Sequence, residues 1–179
     1  MQTRARLYDT YPDAVAVVTE LERSDLHPNR EISLIARDNA HGRDATSEAT
    51  RAPDSSATGI GAGTGAVAGG LIGLLTGLGL MAIPGIGPLV AAGWLATTLA
   101  GAATGAVAGG MVGALVNAGM SHEEAETYEE GVRRGSTFVA VQAEEADLPK
   151  IETIMNSRPS RDWQTLRDEY RRSGWEPKH

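Results

Sequence analysis

Residues 55–121 contain no aspartate, glutamate, lysine or arginine. A 67-residue run without a formal charge cannot form an ordinary water-facing surface, so it must be covered by something. All 16 Lys+Arg and 23 Asp+Glu therefore lie in two arms. Residues 1–54 carry seven basic and ten acidic side chains, and residues 122–179 carry nine and thirteen. The uncharged run also holds 18 of the 22 glycines and a single aromatic, Trp94. The chain thus reads as two polar arms around one apolar, small-residue insert.

The insert contains a repeat. Thr64–Gly73 recurs as Thr104–Gly113, and only Leu71/Met111 and Ile72/Val112 differ between the copies. Between them, Ile83-Pro84-Gly85-Ile86-Gly87-Pro88-Leu89 places two prolines and two glycines where a helix should break. The pattern predicts a helical hairpin, with helices over Thr58–Ile83 and Leu89–Gly119 and a tip at Pro84, Gly85, Gly87 and Pro88. Such helices would be roughly 39 and 46 Å long, enough to cross a hydrocarbon core of about 30 Å.

Glycine costs about 1 kcal/mol against alanine within a helix, so its abundance needs a compensating reason. Gly61, Gly65, Gly69, Gly73 and Gly77 recur every four residues, as do Gly101, Gly105, Gly109 and Gly113. That period lines one ridge of each helix with small residues and predicts close helix packing, a glycine zipper. Two other readings stand beside it: a flexible Gly/Ala linker, and a hairpin buried in a soluble oligomer. The tip offers no charge to water, which suits a tip that stops inside a membrane or meets other tips in an assembly.

The arms read as one split domain of residues 1–38 and 122–179, with 39–57 a polar linker and 58–120 the hairpin. Ala5–Tyr8 reads as a strand, and Thr10 as the cap of a helix from Pro12 to Arg23. Ile32–Ala36 is a second strand. Ser121-His122-Glu123-Glu124 has the form of a capping box. It opens an acidic helix ending near Arg134, where Gly135 stops it. Ser136–Gln142 is the strongest strand pattern in the chain. Asp147 is expected to cap a helix to Ser157, and Asp162–Arg172 forms another around Trp163, Leu166 and Tyr170. A β-α-β half followed by an α-β-α half predicts an α+β fold, a split ferredoxin-like sandwich interrupted by the hairpin. Its fourth strand has room only at Arg158–Trp163, where Pro159 weakens it.

Leu7-Tyr8-Asp9, the hairpin with Ile83–Pro88, Glu130-Gly131-Val132-Arg133-Arg134-Gly135 and Tyr170-Arg171-Arg172-Ser173-Gly174-Trp175 carry a resemblance. With them the chain resembles the general stress protein 17M-like (heat-induced stress protein) family and its glycine-zipper relatives. The likeness spans most of the chain outside Asp38–Ser56. It implies association with stress and a shared architecture, with no settled activity.

Chemistry is sparse. The absence of cysteine excludes disulfides and thiolate metal sites. The net charge of −7, without a basic stripe, argues against nucleic acid as a partner. Arg4, Arg6 and Asp9 interrupt the start of the chain, which does not read as a signal peptide. Gly63–Ala68 and Gly77–Ala82 fit a dinucleotide fingerprint loosely, but neither follows a strand. His122 and Glu126 stand four apart on a helix and suit a solvated face better than a metal. Arg133 and Arg134 read as surface charge at a helix end, or as contacts to acidic groups of a neighbour or to lipid phosphates. No catalytic group, cofactor or metal site is expected.

The resulting expectation is a non-enzymatic, stress-associated structural protein. Its hairpins would insert in a membrane and self-assemble, with lipid and further copies of the chain as partners and both termini cytoplasmic. The alternatives are a soluble cytoplasmic homo-oligomeric shell with inward-pointing hairpins around an apolar interior, and a small regulatory ligand-binding module.

Overall fold

Strand-forming sequence in both arms meets in a single sheet. The computed structural model describes residues 1–37, 79–83, 87–103 and 110–177. The linker 39–57, Gly61, Gly65, Gly69, Gly73, Gly77, Gly105 and Gly109, and the tip residues Pro84 and Gly85 lie outside the described residues. Strand β1 (Gln2–Tyr8) leads to helix α1 (Tyr11–Arg23) and strand β2 (Glu31–Arg37). The insert contributes β3 (Gly79–Ile83), β4 (Gly87–Ala92), α2 (Trp94–Ala103) and α3 (Gly110–Asn117). The second arm supplies α4 (His122–Arg133), β5 (Thr137–Ala143), α5 (Leu148–Met155), β6 (Ser160–Arg161) and α6 (Trp163–Arg172).

The fold is mixed α+β. Its six strands lie in the order β3-β4-β2-β5-β1-β6, antiparallel at every pairing. Strand β5 runs through the middle. Gln2↔Ala143 to Tyr8↔Thr137 tie it to β1, and Glu31↔Gln142 to Ile35↔Phe138 tie it to β2. Period-two alternation then sorts its side chains, with Phe138 and Ala140 on one face and Val139, Val141 and Ala143 on the other. The second face packs on α1 and α5 through Val17, Val18, Leu21, Ile151 and Met155. The first packs on α2, α3, α4 and α6. The sheet is therefore covered by helices on both sides.

Local signals explain the arm elements. Thr10 accepts a hydrogen bond from the Asp13 backbone N–H, and Pro12 sits in the first turn of α1. Ser121 does the same for the Glu124 N–H while the Glu124 carboxylate bonds back to the Ser121 backbone, which closes the capping box. Gly135, at φ 104°, ends α4 in a conformation that favours glycine. The fourth strand of the arms is real but only two residues long, pairing Arg161 with Leu7 and Ser160 with Tyr8. Pro159, just before it, has no N–H to lend to a ladder. Asp147 departs from expectation. It precedes α5 without capping it, because its carboxylate is turned to His27.

The largest correction concerns the insert. The segment expected to end one long helix, bend, and begin another is instead a β-hairpin. Gly79 pairs with Ala91 and Ile83 with Gly87, and β4 docks on β2 from Leu34↔Ala92 to Arg37↔Leu89. Short apolar runs bounded by glycine and proline are ambiguous between buried strand and helix. Here the free edge of β2 decides, since pairing satisfies a row of backbone groups that a helix would leave open. Gly87 and Pro88 accordingly open β4, where Pro88 lies just beyond the last β2 partner.

The helices that follow have ten and eight residues, roughly 15 and 12 Å. No helix among the described residues is long and apolar enough to cross a membrane. The membrane-inserted hairpin, the lipid partner and the membrane-associated localisation with cytoplasmic termini are corrected accordingly. Zippering to neighbouring copies was argued from the same two long helices and loses that support.

One glycine makes the insert's docking possible. Gly93, between β4 and α2, has φ +89°, and a Cβ there would stand 2.0 Å from the Ile32 carbonyl oxygen and 2.7 Å from Ser33 Oγ. Gly119 has nearly the same φ, +92°, but nothing within 4 Å of its Cβ position. The pair separates backbone strain from crowding. Gly119→Ala should cost about 1–2 kcal/mol in chemical denaturation, and Gly93→Ala about 1–3 kcal/mol more. Equal costs would show that β4 does not lie against β2 as described.

Candidate interaction site

The centre of the sheet face turned toward the insert is apolar, while the register also places Thr3, Ser33, Arg37 and Gln142 on that face. It presents Leu89 and Ala91 from β4, Ile35 from β2, Phe138 and Ala140 from β5, and Ala5 and Leu7 from β1. All of them are buried. Half of their cover comes from the arm helices: Tyr128 and Val132 of α4, with Leu166 and Tyr170 of α6. Tyr128 and Phe138 meet edge to face at 5.0 Å between ring centres. The other half comes from the insert, through Leu95 and Leu99 of α2 and Met111, Ala114 and Leu115 of α3.

The insert's half is fastened differently. At its entry the Leu95 N–H donates to Ser33 Oγ at 3.0 Å, beside Gly93. At its exit Thr3 Oγ1 donates to the Ala118 carbonyl at 2.8 Å, where Gly119 closes the end of α3. No ion pair from α2 or α3 exists, because neither helix carries a charge. The Trp94 indole N–H at the head of α2 is buried without a hydrogen-bond partner, a cost of about 1–3 kcal/mol. Five of the ten residues of α2 are alanine or glycine, and the helix meets the sheet through Leu95 and Leu99.

The arm helices carry ion pairs within and between themselves, and reach the sheet through hydrogen bonds from Arg37 Nη1 to the Arg133 carbonyl at 2.6 Å and from the Tyr128 hydroxyl to the Ala5 carbonyl at 2.9 Å. Arg133 reaches Glu129 at 2.8 Å and Glu130 at 2.9 Å, and Arg134 holds Glu130 at 2.8 Å. Arg171 and Arg167 meet Glu123 at 2.9 and 3.4 Å, binding α6 to α4. Arg133 and Arg134, considered from sequence as contacts to lipid phosphate or a neighbour, are thus committed within the chain. His122 Nε2 stands 3.6 Å from Glu126 Oε1, and among the described residues no group of three or more His, Asp or Glu is arranged to hold a metal.

Of the expected zipper positions, Gly101 falls in α2 and Gly113 in α3, two short helices that pack on each other. Sequence reasoning missed the residues that form the site: Ser33, Gly93, Leu95 and Thr3. Gly93 stands between the apolar run Leu89-Val90-Ala91-Ala92 and a helical one, but the expected long helix ran through it.

Comparison of the chain with protein families, with curated proteins and with solved structures gives no match.

On the opposite side, His27 joins the α1–β2 turn to the start of α5. Asp147 Oδ2 accepts from the His27 backbone N–H at 3.0 Å and lies 2.9 Å from His27 Nδ1. The Asp147 hydrogen bond and charge raise the His27 pKa above 6.5. Burial opposes ionisation of Asp147, but the His27 amide, ring and charge outweigh it and hold its pKa below 3.8. A raised histidine stabilises fully below its unfolded value and loses that contribution as pH rises through the folded one. A depressed carboxylate stabilises above its unfolded value and loses that as pH falls through the folded one. The pair should therefore be strongest between about pH 4 and 6.5. His27→Gln should remove the loss of stability on raising pH from about 6 to 8, followed by urea midpoints at each pH. An unchanged slope would dissociate that loss from His27.

Proposed function

We propose that the protein is a non-enzymatic, stress-associated regulatory binding module. Its working surface is the sheet face now occupied by its own insert. The observation that carries this reading is the unequal cover of that face. One part is covered by arm helices that ion pairs tie to each other, and another by two short, uncharged helices that pack through Leu95, Leu99, Met111, Ala114 and Leu115, with side-chain hydrogen bonds at Ser33 and Thr3 among the described residues.

Within this reading the arms form a split ferredoxin-like domain. The units β1-α1-β2 and β5-α5-β6, with strand order β2-β5-β1-β6, support it. In that arrangement two helices cover one face and leave the other for a partner; here the insert stands in the partner's place. The resemblance to the general stress protein 17M-like family supports the assignment to stress. Heating weakens a small apolar contact before it reaches the central strands, so displacement of α2 and α3 would uncover the apolar face only under stress. The ligand class is an apolar surface or segment. A shell with inward-pointing hairpins is less well supported, because the described part of the insert folds back on its own sheet.

Native-state hydrogen exchange tests this. Amides of α2 and α3 should exchange through an opening that leaves β1, β2 and β5 protected, by at least about tenfold at 25 °C. The gap should widen on warming, with binding of an apolar dye in the same temperature range. Exchange of the insert helices only together with β5, by global unfolding, would sink the displaceable cover.

A further inference from the structure

The C-terminal end of α6 carries an arrangement that the cover does not use. Ser173 follows the helix directly, is exposed, and donates its hydroxyl to the Tyr170 carbonyl at 2.7 Å. Two arginines, Arg171 and Arg172, immediately precede it. Across from it stands Arg134, the residue that caps the C-terminal end of α4. Its Nη1 and Nη2 are each 3.4 Å from Ser173 Oγ.

That fork is held in place from its other sides. Its carbon lies 4.2 Å from the centre of the Tyr170 ring, and its Nε donates to Glu130 at 2.8 Å. Two N–H groups of one guanidinium face a single neutral hydroxyl at 3.4 Å, a distance long for strong hydrogen bonds. A phosphate on that hydroxyl would offer the same fork charged oxygens two bonds beyond Oγ, the partner a guanidinium binds bidentately. Glu130 would not be orphaned by the exchange, since Arg133 also holds it at 2.9 Å.

We propose that Ser173 is a phosphorylation site and that Arg134 is the receptor for its phosphate, locking the end of α6 to the end of α4. The donor is a nucleoside triphosphate delivered by a serine kinase that selects basic residues before the serine, as Arg171-Arg172 provides. Ser173 Oγ attacks the γ-phosphorus and a new O–P bond forms. The bond to the β-phosphate oxygen breaks, the nucleoside diphosphate leaves, and the hydroxyl proton passes to the kinase base or to water. The last turn of a helix frays, which presents the serine to such an enzyme.

The sign of the effect turns on Arg134. A phosphate at a helix C-terminus is opposed by about half a unit of negative charge from the dipole. Glu130, Glu169 and Glu176 add to that opposition, although Glu130 and Glu169 are already paired, Glu169 with Arg161 at 3.1 Å. The Arg134 fork, with Arg171 and Arg172 beside it, outweighs both.

The test phosphorylates the full chain with the catalytic subunit of cAMP-dependent protein kinase and MgATP. Peptide mass spectrometry should map one phosphate to Ser173, and Ser173→Ala should take none there. Phosphorylation should raise the melting temperature by about 2 °C, and should lower it in Arg134→Gln. Arg134→Lys, which keeps the charge but not the fork, should show less than half the rise. A measurement on the unaltered chain guards against a variant that folds poorly: the phosphoserine phosphorus resonance should titrate below its ordinary second pKa of about 6. Absence of phosphate on Ser173, an unshifted titration, or the same melting change with and without Arg134 would each overturn the proposal. None of these outcomes depends on whether the insert is displaceable.

Discussion

The pairing of β4 with β2 decides where the uncharged segment goes. Without it, residues 79–117 would be an apolar tail with no partner in the chain. With it, the turn at Gly93 lies against the Ile32 carbonyl, Ser33 caps the head of α2 through Leu95, and the next two helices fall across the exposed sheet face. Backbone groups on β2 need partners, and β4, paired in turn with β3, supplies them although Gly, Pro and Ala make up much of both strands and are poor strand formers. Everything proposed for the covered face follows from that one joint.

The other edge of the sheet shows what happens where no strand is added. Beyond Leu7 and Tyr8, β1 has no strand on its outer side among the described residues. Arg4 Nη1 turns back to the Thr3 carbonyl at 3.2 Å, and Arg6 Nη1 to the Ala5 carbonyl at 3.2 Å. The Tyr128 hydroxyl donates to the same Ala5 carbonyl at 2.9 Å. Charged side chains folded over edge carbonyls discourage pairing with another chain. One edge is closed by arginine and tyrosine, the other is extended by the insert.

How much of this was legible in the sequence depended on the range of the physics involved. Thr10, Ser121, Gly135 and Asp162 speak to their own helices through hydrogen bonds three residues away, and the arm elements were read from them with little error. Asp147 looks like another such cap, but its partner His27 is 120 positions distant, and no local rule reveals that. The insert failed for the same reason. A four-residue glycine period is a statement about helices, whereas Gly79–Ala92 answers to the unpaired edge of β2. Of the repeat's second copy, Thr104–Gly113, only Gly110–Gly113 falls among the described residues, where it opens α3. The candidate face was invisible until the sheet existed, since Ala5, Ile35 and Phe138 come together only through strand order.

Small residues take on a different meaning where the described part of the insert lies over the sheet. In a membrane, glycine lets helices approach closely, and stability comes from packing that lipid cannot match. Over the sheet face the insert works through its larger side chains: Leu95, Leu99, Met111 and Leu115, with Ala114, are what bury Ile35, Phe138 and Ala91. The uncharged composition is needed for the same surface, because an ion buried there without a partner would be far more costly than the contact is worth. The absence of charge in the insert is therefore what burial against that face requires.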